Sequence, residues 1–523
     1  MPLPREAVPG SLNAAQRARD LAALGDGAPV DLVVVGGGVT GAGVALDAAS
    51  RGLRTVLLER HDLASGTSRW SSKLVHGGLR YLASGDLGLA LESARERHVL
   101  LTRTAPHLVH PLPYLLPVGG PGGAGGREAA AMRAGLLLGD GLRALARTPR
   151  RALPRSHRID AAAAEALAPG LATSLRGGAL LGWDGRLEDD ARLVVALART
   201  AAAHGARVIT GAAVEHAAPG DVRLRDAETG QTVTLAPRAV VNATGVWAGG
   251  LDDGVALRPS RGSHLVLSPA AFGGALRAQV SIPVPGAFGR FLLAIPRPDG
   301  TVILGLTDEP VDGPIPDVPE PADAEIAALL EGGSRAFRRP LLPEHVEGAF
   351  AGLRPLVAGG ADATADLSRH HVVRRADSGL VTVTGGKLTT YRRMAEDAVD
   401  LAVATAGLSA RPCRTTDLPL LGAAPCDALR ALRQPPRLVD RHGAEAPQVA
   451  ALADAQPELH APVVPGEDVL ACELIWAVRH EGARTVGDLL DRRTRLGLRP
   501  AVRERAVAAA ERALEQAAVV AAT

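Results

Sequence analysis

The stretch VDLVVVGGGVTGAGVALDAASRGLRTVLLE, residues 30–59, reads strand, tight turn, helix, strand. VDLVVV ends in a β-branched run, the pattern of a parallel strand buried on both faces. GGGVTGAG supplies the turn, VALDAASRG the helix with Gly52 just past its end, and LRTVLLE the second strand. Gly36-x-Gly38-x-x-Gly41 opens the helix, and Glu59 closes the second strand 23 residues after Gly36. Each glycine has a physical task. Gly36 makes the turn, Gly38 lets the backbone approach a pyrophosphate, and Gly41 permits close packing of helix on strand. The helix N-terminus adds partial positive charge for phosphates, and Glu59 is placed to accept hydrogen bonds from ribose hydroxyls. The pattern is that of an α/β, Rossmann-like dinucleotide site, and it does not by itself choose between NAD and FAD.

Two further strand candidates, 206–211 and 238–245, lie far downstream, so the nucleotide fold is expected to close late around inserted material. A β-rich block spans roughly 256–310, with SHLVLS, RFLLAIP and TVILGLTD as short strands. VGGPGGAGG (118–126) reads as a glycine loop and PVDGPIPDVPEP (310–321) as a connection without helix. From about 406 the pattern turns helical, and ACELIWAVRHEGARTVGDLLDRR is its most periodic piece. The 523 residues suffice for two or three domains, and 46% hydrophobic content is that of a chain with a sizeable core. A formal net charge of +2 gives no whole-chain field for nucleic acid. Cys413, Cys426 and Cys472 lack metal-ligand spacing, so neither a disulfide framework nor a metal centre is expected. No apolar signal region opens the chain and no membrane-spanning run occurs, so a cytoplasmic protein is expected. Of the 58 Lys plus Arg residues only Lys73 and Lys387 are lysines, which makes both of them informative.

After the nucleotide motif comes DLASGTSRWSSKLVHGGLRYL (62–82), in which small hydroxyl residues alternate with Lys73, His76, Arg80 and Tyr81. Such a loop suits a pyrophosphate and a ribityl chain. With this segment the sequence resembles the flavin-dependent glycerol-3-phosphate dehydrogenases, within the larger glycine-oxidase/amino-acid-oxidase type of flavoproteins. The matching pieces are VVVGGGVTGAGVALDAASRG, LLERHDLASGTS, SSKLVHGGLRYL, DDARLVVALA, VVNATGVWA, RGSHLVL, GLRPLV, LSRHH and TGGKLTTYR, followed by AVRHEGARTVGDLLDRRTRL. They run in family order from residue 30 to beyond 490. Two departures stand out. Leu306 in GLTDEP replaces a second Thr common in the family, which touches one substrate contact, and Trp70 stands where a small or basic residue is commoner.

The resemblance implies FAD as cofactor and a fold with an inserted β-rich substrate domain and a C-terminal helical domain. Residues 1–29 would be an N-terminal extension, 30–405 the oxidoreductase region and 406–523 the C-terminal domain. Within 30–405, about 30–115, 180–250 and 345–405 would bind FAD, and about 116–179 and 251–344 would form the substrate part. Expected cofactor contacts are Gly36, Gly38, Gly41, Glu59, Arg60, Thr67, Ser68, Ser72, Lys73, His76, Gly77, Gly245, Gly386, Leu388 and Thr389. Lys73 has an alternative reading as a structural residue. For the substrate phosphate, Arg is apt because its fork offers two parallel charge-assisted hydrogen bonds. Arg80 and Arg369 are assigned to phosphate, and Arg354 to the flavin side or the carbinol oxygen. His264 is the candidate general base, since imidazole accepts a proton near neutral pH. Tyr81 and Thr307 would hydrogen-bond substrate, with Asp308 positioning them. Lys387, on a glycine-flanked turn, would place a compact positive charge where reduced flavin carries negative charge.

Residues 127–158 hold eight arginines, Arg127, Arg133, Arg143, Arg147, Arg150, Arg151, Arg155 and Arg158, against only Glu128 and Asp140. With AGLLLG and LRAL they suggest a short, basic amphipathic helix of the kind that lies on anionic membranes. The functional expectation is oxidation of sn-glycerol 3-phosphate to dihydroxyacetone phosphate, peripherally on the inner face of the plasma membrane, with electrons passed to quinone. A homodimer is among the expected partners, with nothing in the sequence that sets the oligomeric state. The alternatives are an oxidase using O2 and producing H2O2, an amine or amino-acid oxidase of the same fold, and a non-catalytic flavin-binding module.

Overall fold

The computed structural model describes residues 8–78, 85–119, 123–172, 177–287, 289–357, 370–454 and 456–522. Leu32–Val35 lies at the centre of a six-stranded sheet, parallel to Thr55–Glu59 on one side and to Ala239–Asn242 on the other. Arg207–Thr210 extends one edge in parallel, Val381–Gly385 the other, and His371–Arg375 closes that edge antiparallel. The strands thus come from three distant parts of the chain, with the last near residue 385.

Period-two alternation explains why both faces are covered. Leu32, Val34 and Leu57 face a layer that includes the helices Val39–Ser50, Asp190–Ala203 and Tyr391–Ala406. Val33, Val35, Val56 and Leu58 face a three-stranded antiparallel meander, Ala212–Ala218, Asp221–Asp226 and Thr232–Leu235. A fully buried strand therefore reads as continuously apolar.

A second, ten-stranded mixed sheet is built around Ser260–Leu267, which pairs antiparallel with both Val302–Gly305 and Val346–Arg354. Phe291–Pro296 and Gln279–Pro283 continue it, and the nine-residue pair Val109–Pro117 and Ala179–Leu187 joins it to the nucleotide side. Its own core includes Leu115, Leu265, Val280, Leu304 and Leu329, the last on the covering helix Asp323–Ser334.

Beyond Ala406, helices dominate, including Pro436–His442, Ala471–His480 and Pro500–Ala522, packed around buried Trp476, Leu489 and Leu490. Buried ion pairs fasten this unit to the nucleotide layer. Arg199 donates to both oxygens of Glu445 (2.7 and 2.8 Å), Arg192 pairs with Glu481 (2.6 Å), and Arg493 grips both oxygens of Asp62 (2.8 Å each). Removing one partner of such a pair leaves the other charge buried and alone, so the junction tolerates only coordinated change.

Candidate active site

Gly36 sits at φ +110°, where only glycine is unstrained, and its N–H donates to the Leu58 carbonyl (2.8 Å). A Cβ on Gly41 would lie 1.8 Å from the Gly36 carbonyl oxygen. The turn can close onto the helix only with glycine there. Gly38 is the N-cap of helix Val39–Ser50 and offers no side-chain cap; Val39 N–H donates to Ser68 Oγ (2.9 Å), and the N–H groups that follow it in the first turn remain for a ligand. Glu59 accepts from Gly37 N–H (2.6 Å), His61 N–H (2.8 Å) and Ser65 Oγ (3.1 Å), fixing its carboxylate beside the turn.

From this turn a cavity of about 1460 Å³ runs between the two sheets to the 385–389 turn. Drug-sized ligands occupy roughly 300–1,000 Å³. The space therefore suits an extended dinucleotide together with a small second molecule. The cradle without side chains at Gly36 and Gly38, the helix N-terminus and the acid at Glu59 fit FAD.

Comparison with known proteins agrees with this geometry. Residues 31–400 match the family model described as FAD dependent oxidoreductase, and residues 413–521 match the C-terminal domain of alpha-glycerophosphate oxidase. The chain is 51% identical to glycerol-3-phosphate dehydrogenase 1 of Mycobacterium tuberculosis, over 97% of this chain and 99% of that one. The chain belongs to the FAD-dependent glycerol-3-phosphate dehydrogenase family. A glycerol-3-phosphate dehydrogenase of Synechocystis is 32% identical, over 90% of this chain and 89% of that one. The solved glycerol-3-phosphate dehydrogenase of Bacillus halodurans, complexed with FAD, superposes with a TM-score of 0.74 at 28% identity, covering 97% and 94% of the two chains.

In this flavoprotein part of the cavity lining is polar. Arg354, Thr307, Asp308, His264, Ser72 and Lys387 all line it. The Arg354 guanidinium donates to Ser260 Oγ (3.0 Å), Asp308 Oδ1 (3.1 Å) and the Thr307 carbonyl (3.1 Å). Gly262 makes this possible, because a Cβ there would lie 2.2 Å from Arg354 Nη2. Thr307 is held in turn: its hydroxyl donates to Glu325 Oε1 (2.6 Å) and accepts from Ser263 N–H (2.9 Å). Burial opposes charge on Glu325, but bonds from Thr307, the Ala322 N–H and Ser263 keep its carboxyl below the ordinary value. Asp308 is thus tied to Arg354 and, by a short bond, to the Ser260 hydroxyl.

His264 is stacked on Phe350, with ring centroids 4.8 Å apart, and its Nε2 is 2.8 Å from Ser72 Oγ. Gly305 leaves room for the ring, since a Cβ there would meet His264 Cδ2 at 2.3 Å. Burial, followed by the charges of Lys73 and Arg354, pushes the His264 pKa down to about 3. The ring is therefore held neutral. Lys387 lies between left-handed Gly386 (φ +66°) and the short turn Leu388–Thr390, with its Nζ buried.

Arg60, Thr67, Ser68, His76, Gly245, Gly386, Leu388 and Thr389 also line the cavity. Thr67 directs its hydroxyl to the Leu353 carbonyl (2.7 Å), so it ties the cofactor loop to the second sheet. Three expected contacts lie behind the wall. Gly41 serves the turn, Gly77 N–H donates to Asp184 Oδ1 (3.0 Å), and Lys73 is buried with its ammonium 3.1 Å from Asp190 Oδ2. Arg80, Tyr81 and Arg369 lie outside the described residues.

Several residues of the wall escape sequence reasoning. Tyr114, Gln279 and Ser281 enter it from the second sheet, and Trp247 lies beneath Arg60, 5.7 Å from ring centroid to guanidinium carbon. Glu325, which fixes Thr307, comes from a separate helix. Only the scarcity of tyrosine and tryptophan hinted at Tyr114 and Trp247.

The basic helix runs Gly126–Leu145, longer than its apolar core suggested. Met132, Gly135, Leu136 and Leu138 border the cavity, while Leu137, Leu138 and Leu145 are 60%, 58% and 67% exposed. Arg143 departs from the expected basic face: it is buried and donates to the Thr148 carbonyl (2.7 Å). No helix among the described residues is long and apolar enough to cross a membrane.

Proposed function

We propose that the protein oxidises sn-glycerol 3-phosphate to dihydroxyacetone phosphate and passes the electrons to a membrane quinone. The observation that carries this reading is the set of polar groups lining the cavity, a braced Arg354, buried Lys387, Thr307 and neutral His264. Bound FAD supplies the two-electron acceptor for the hydride leaving carbon 2. Gly36, Gly38, Ser68 and the helix N-terminus would hold its pyrophosphate, and Glu59 its adenosine ribose.

The residues of the chain do the rest. Arg354, with Arg80 and Arg369 from the family motifs, supplies cations for the substrate oxygens and phosphate. Lys387 stabilises negative charge that develops during oxidation. His264 takes the carbinol proton. Its low pKa comes from desolvation and two nearby cations, Lys73 and Arg354. An anionic substrate partly offsets those cations, raising the basicity of the ring when proton transfer is required.

Leu137, Leu138 and Leu145, beside exposed Arg133, Arg147, Arg150 and Arg151, support a membrane-surface contact next to the cavity. An anaerobic spectrum tests the reaction: glycerol 3-phosphate should bleach the flavin, and glycerol or sarcosine should not. Subsequent addition of a quinone analogue or of O2 ranks the acceptors. Replacing Arg147, Arg150, Arg151, Arg155 and Arg158 by glutamine should cost about 1 kcal/mol per cation near the headgroups and release the protein from anionic vesicles in a flotation assay. Unchanged flotation would remove the membrane from this reading.

A further inference from the structure

The run Arg492–Arg493–Arg495 of the C-terminal unit lies outside the cavity wall, yet it is built into the loop that forms that wall. Arg492 and Arg493 both bind Asp62, at 2.5 and 2.8 Å. Arg495 Nη2 donates to the Arg69 carbonyl (2.5 Å), its Nε lies 3.1 Å from Asp189 Oδ2, and its guanidinium covers the Trp70 ring at 5.4 Å. Its Nη1 is anchored on its own segment, donating to the Asp491 carbonyl (2.6 Å).

The neighbouring Asp190 carries the contact towards the cavity. Its Oδ1 lies 3.8 Å from Arg495 Nη2. Its Oδ2 accepts from Ser71 N–H (2.9 Å), Ser71 Oγ (2.8 Å) and Lys73 Nζ (3.1 Å). Ser72 is thereby held between two anchored residues, with its hydroxyl on His264. The backbone bears the mark of this arrangement. Among the described residues four non-glycines have positive φ, and three of them, Ala64, Lys73 and Arg495, belong to the 62–76 segment or its brace. Strained backbone of this kind persists where the surroundings over-determine it, as they do at functional sites.

We propose that Arg495, backed by Arg492 and Arg493, is a positioning residue through which the C-terminal unit sets the Ser65–His76 loop, and with it Ser72 and His264, against flavin and substrate. Arginine is required because one planar fork reaches a carbonyl, a carboxylate and an aromatic face together, which a single ammonium cannot do. The inference rests on the proposed oxidation of glycerol 3-phosphate.

The test uses purified holoenzyme. Wild type is first mixed anaerobically with glycerol 3-phosphate; failure to reduce the flavin would refute the proposed reaction and not the brace. Given reduction, Arg495→Lys should keep its flavin and melting transition but reduce kcat about tenfold, with KM changed less than about threefold. Its apoprotein should also bind FAD at least about threefold more weakly, read by flavin fluorescence. Arg495→Ala, if it folds, should recover part of its rate in millimolar guanidinium. Asp190→Asn should impair the same step, and the double variant should fall well short of the product of the two single effects. Arg430→Lys, an exposed substitution in the same unit, serves as the control. Wild-type kcat and FAD affinity in Arg495→Lys, or fully multiplicative effects with Asp190→Asn, would overturn the inference.

Discussion

A Gly41→Ala chain is expected to purify colourless. The added methyl carbon would lie 1.8 Å from the Gly36 carbonyl oxygen, and the clash is with backbone that has no other place to go. Gly36 is itself closely packed, since a Cβ on it would meet the Ala243 carbonyl oxygen at 2.6 Å. Relief must come from separating helix Val39–Ser50 from the strand turn, which moves the Val39 N–H away from Ser68 and opens the phosphate cradle. Overpacking in a tight core costs about 1–3 kcal/mol, and here it falls on the element that gathers the cofactor. We expect FAD occupancy below about a tenth of wild type, since 1.4 kcal/mol is already tenfold in affinity. Absorbance at the flavin band against protein concentration checks it. Gly52→Ala provides the comparison: that glycine has open space around it but φ +92°, so it should lose stability and keep its flavin. Equal flavin content in Gly41→Ala and wild type would show that the turn adapts.

How far the sequence leads depends on whether a feature is local. The turn at 36–41, the two strands beside it and the helix between them are contiguous, so apolar runs and glycine spacing suffice to draw them. The late closing strand Ala239–Asn242 was also visible from its β-branched run. The site is different. Thr307 depends on Glu325, Ser72 on His264, and Arg354 on Gly262, contacts that span 18, 192 and about 90 residues and leave no periodic trace. Motif resemblance is what brings His264, Arg354 and Lys387 together in the sequence, and all three line the cavity. It could not foresee that His264 is pressed to a low pKa by its burial, because burial is decided by Phe350 and the strand opposite. Nor could charge counting tell that Arg143, unlike its neighbours in the basic run, turns inward to cap the Thr148 carbonyl.

Lys387→Met is expected to retain FAD and lose the greater part of its reductive rate. The lysine is one of two in a chain that otherwise uses arginine, and the backbone around it explains why the exception persists. Gly385 and Gly386 stand at φ +77° and +66°, and Cβ atoms on them would meet the His370 carbonyl at 2.9 Å and Met394 Sδ at 2.6 Å. The turn is therefore pinned from behind, and the Lys387 side chain emerges from it into the cavity wall with its nitrogen buried. A point charge on a flexible stem fits such a place. A guanidinium is wider, planar and demands five donors' worth of partners. Loss of one preorganised electrostatic group typically costs a factor of about 10²–10³ in kcat, so we expect that range for Lys387→Met in stopped-flow flavin reduction. Lys387→Arg keeps the charge and loses the shape. If charge alone mattered, it would run near wild type; with the wall as tight as Gly386 and Met394 make it, a loss of at least about tenfold is expected. Flavin content should stay unchanged in both variants, because neither substitution touches Gly36, Gly38 or the N-terminus of helix Val39–Ser50. Reduction within threefold of wild type in Lys387→Arg would mean that the turn accommodates the larger head, and that the position of the charge is not what the site selects.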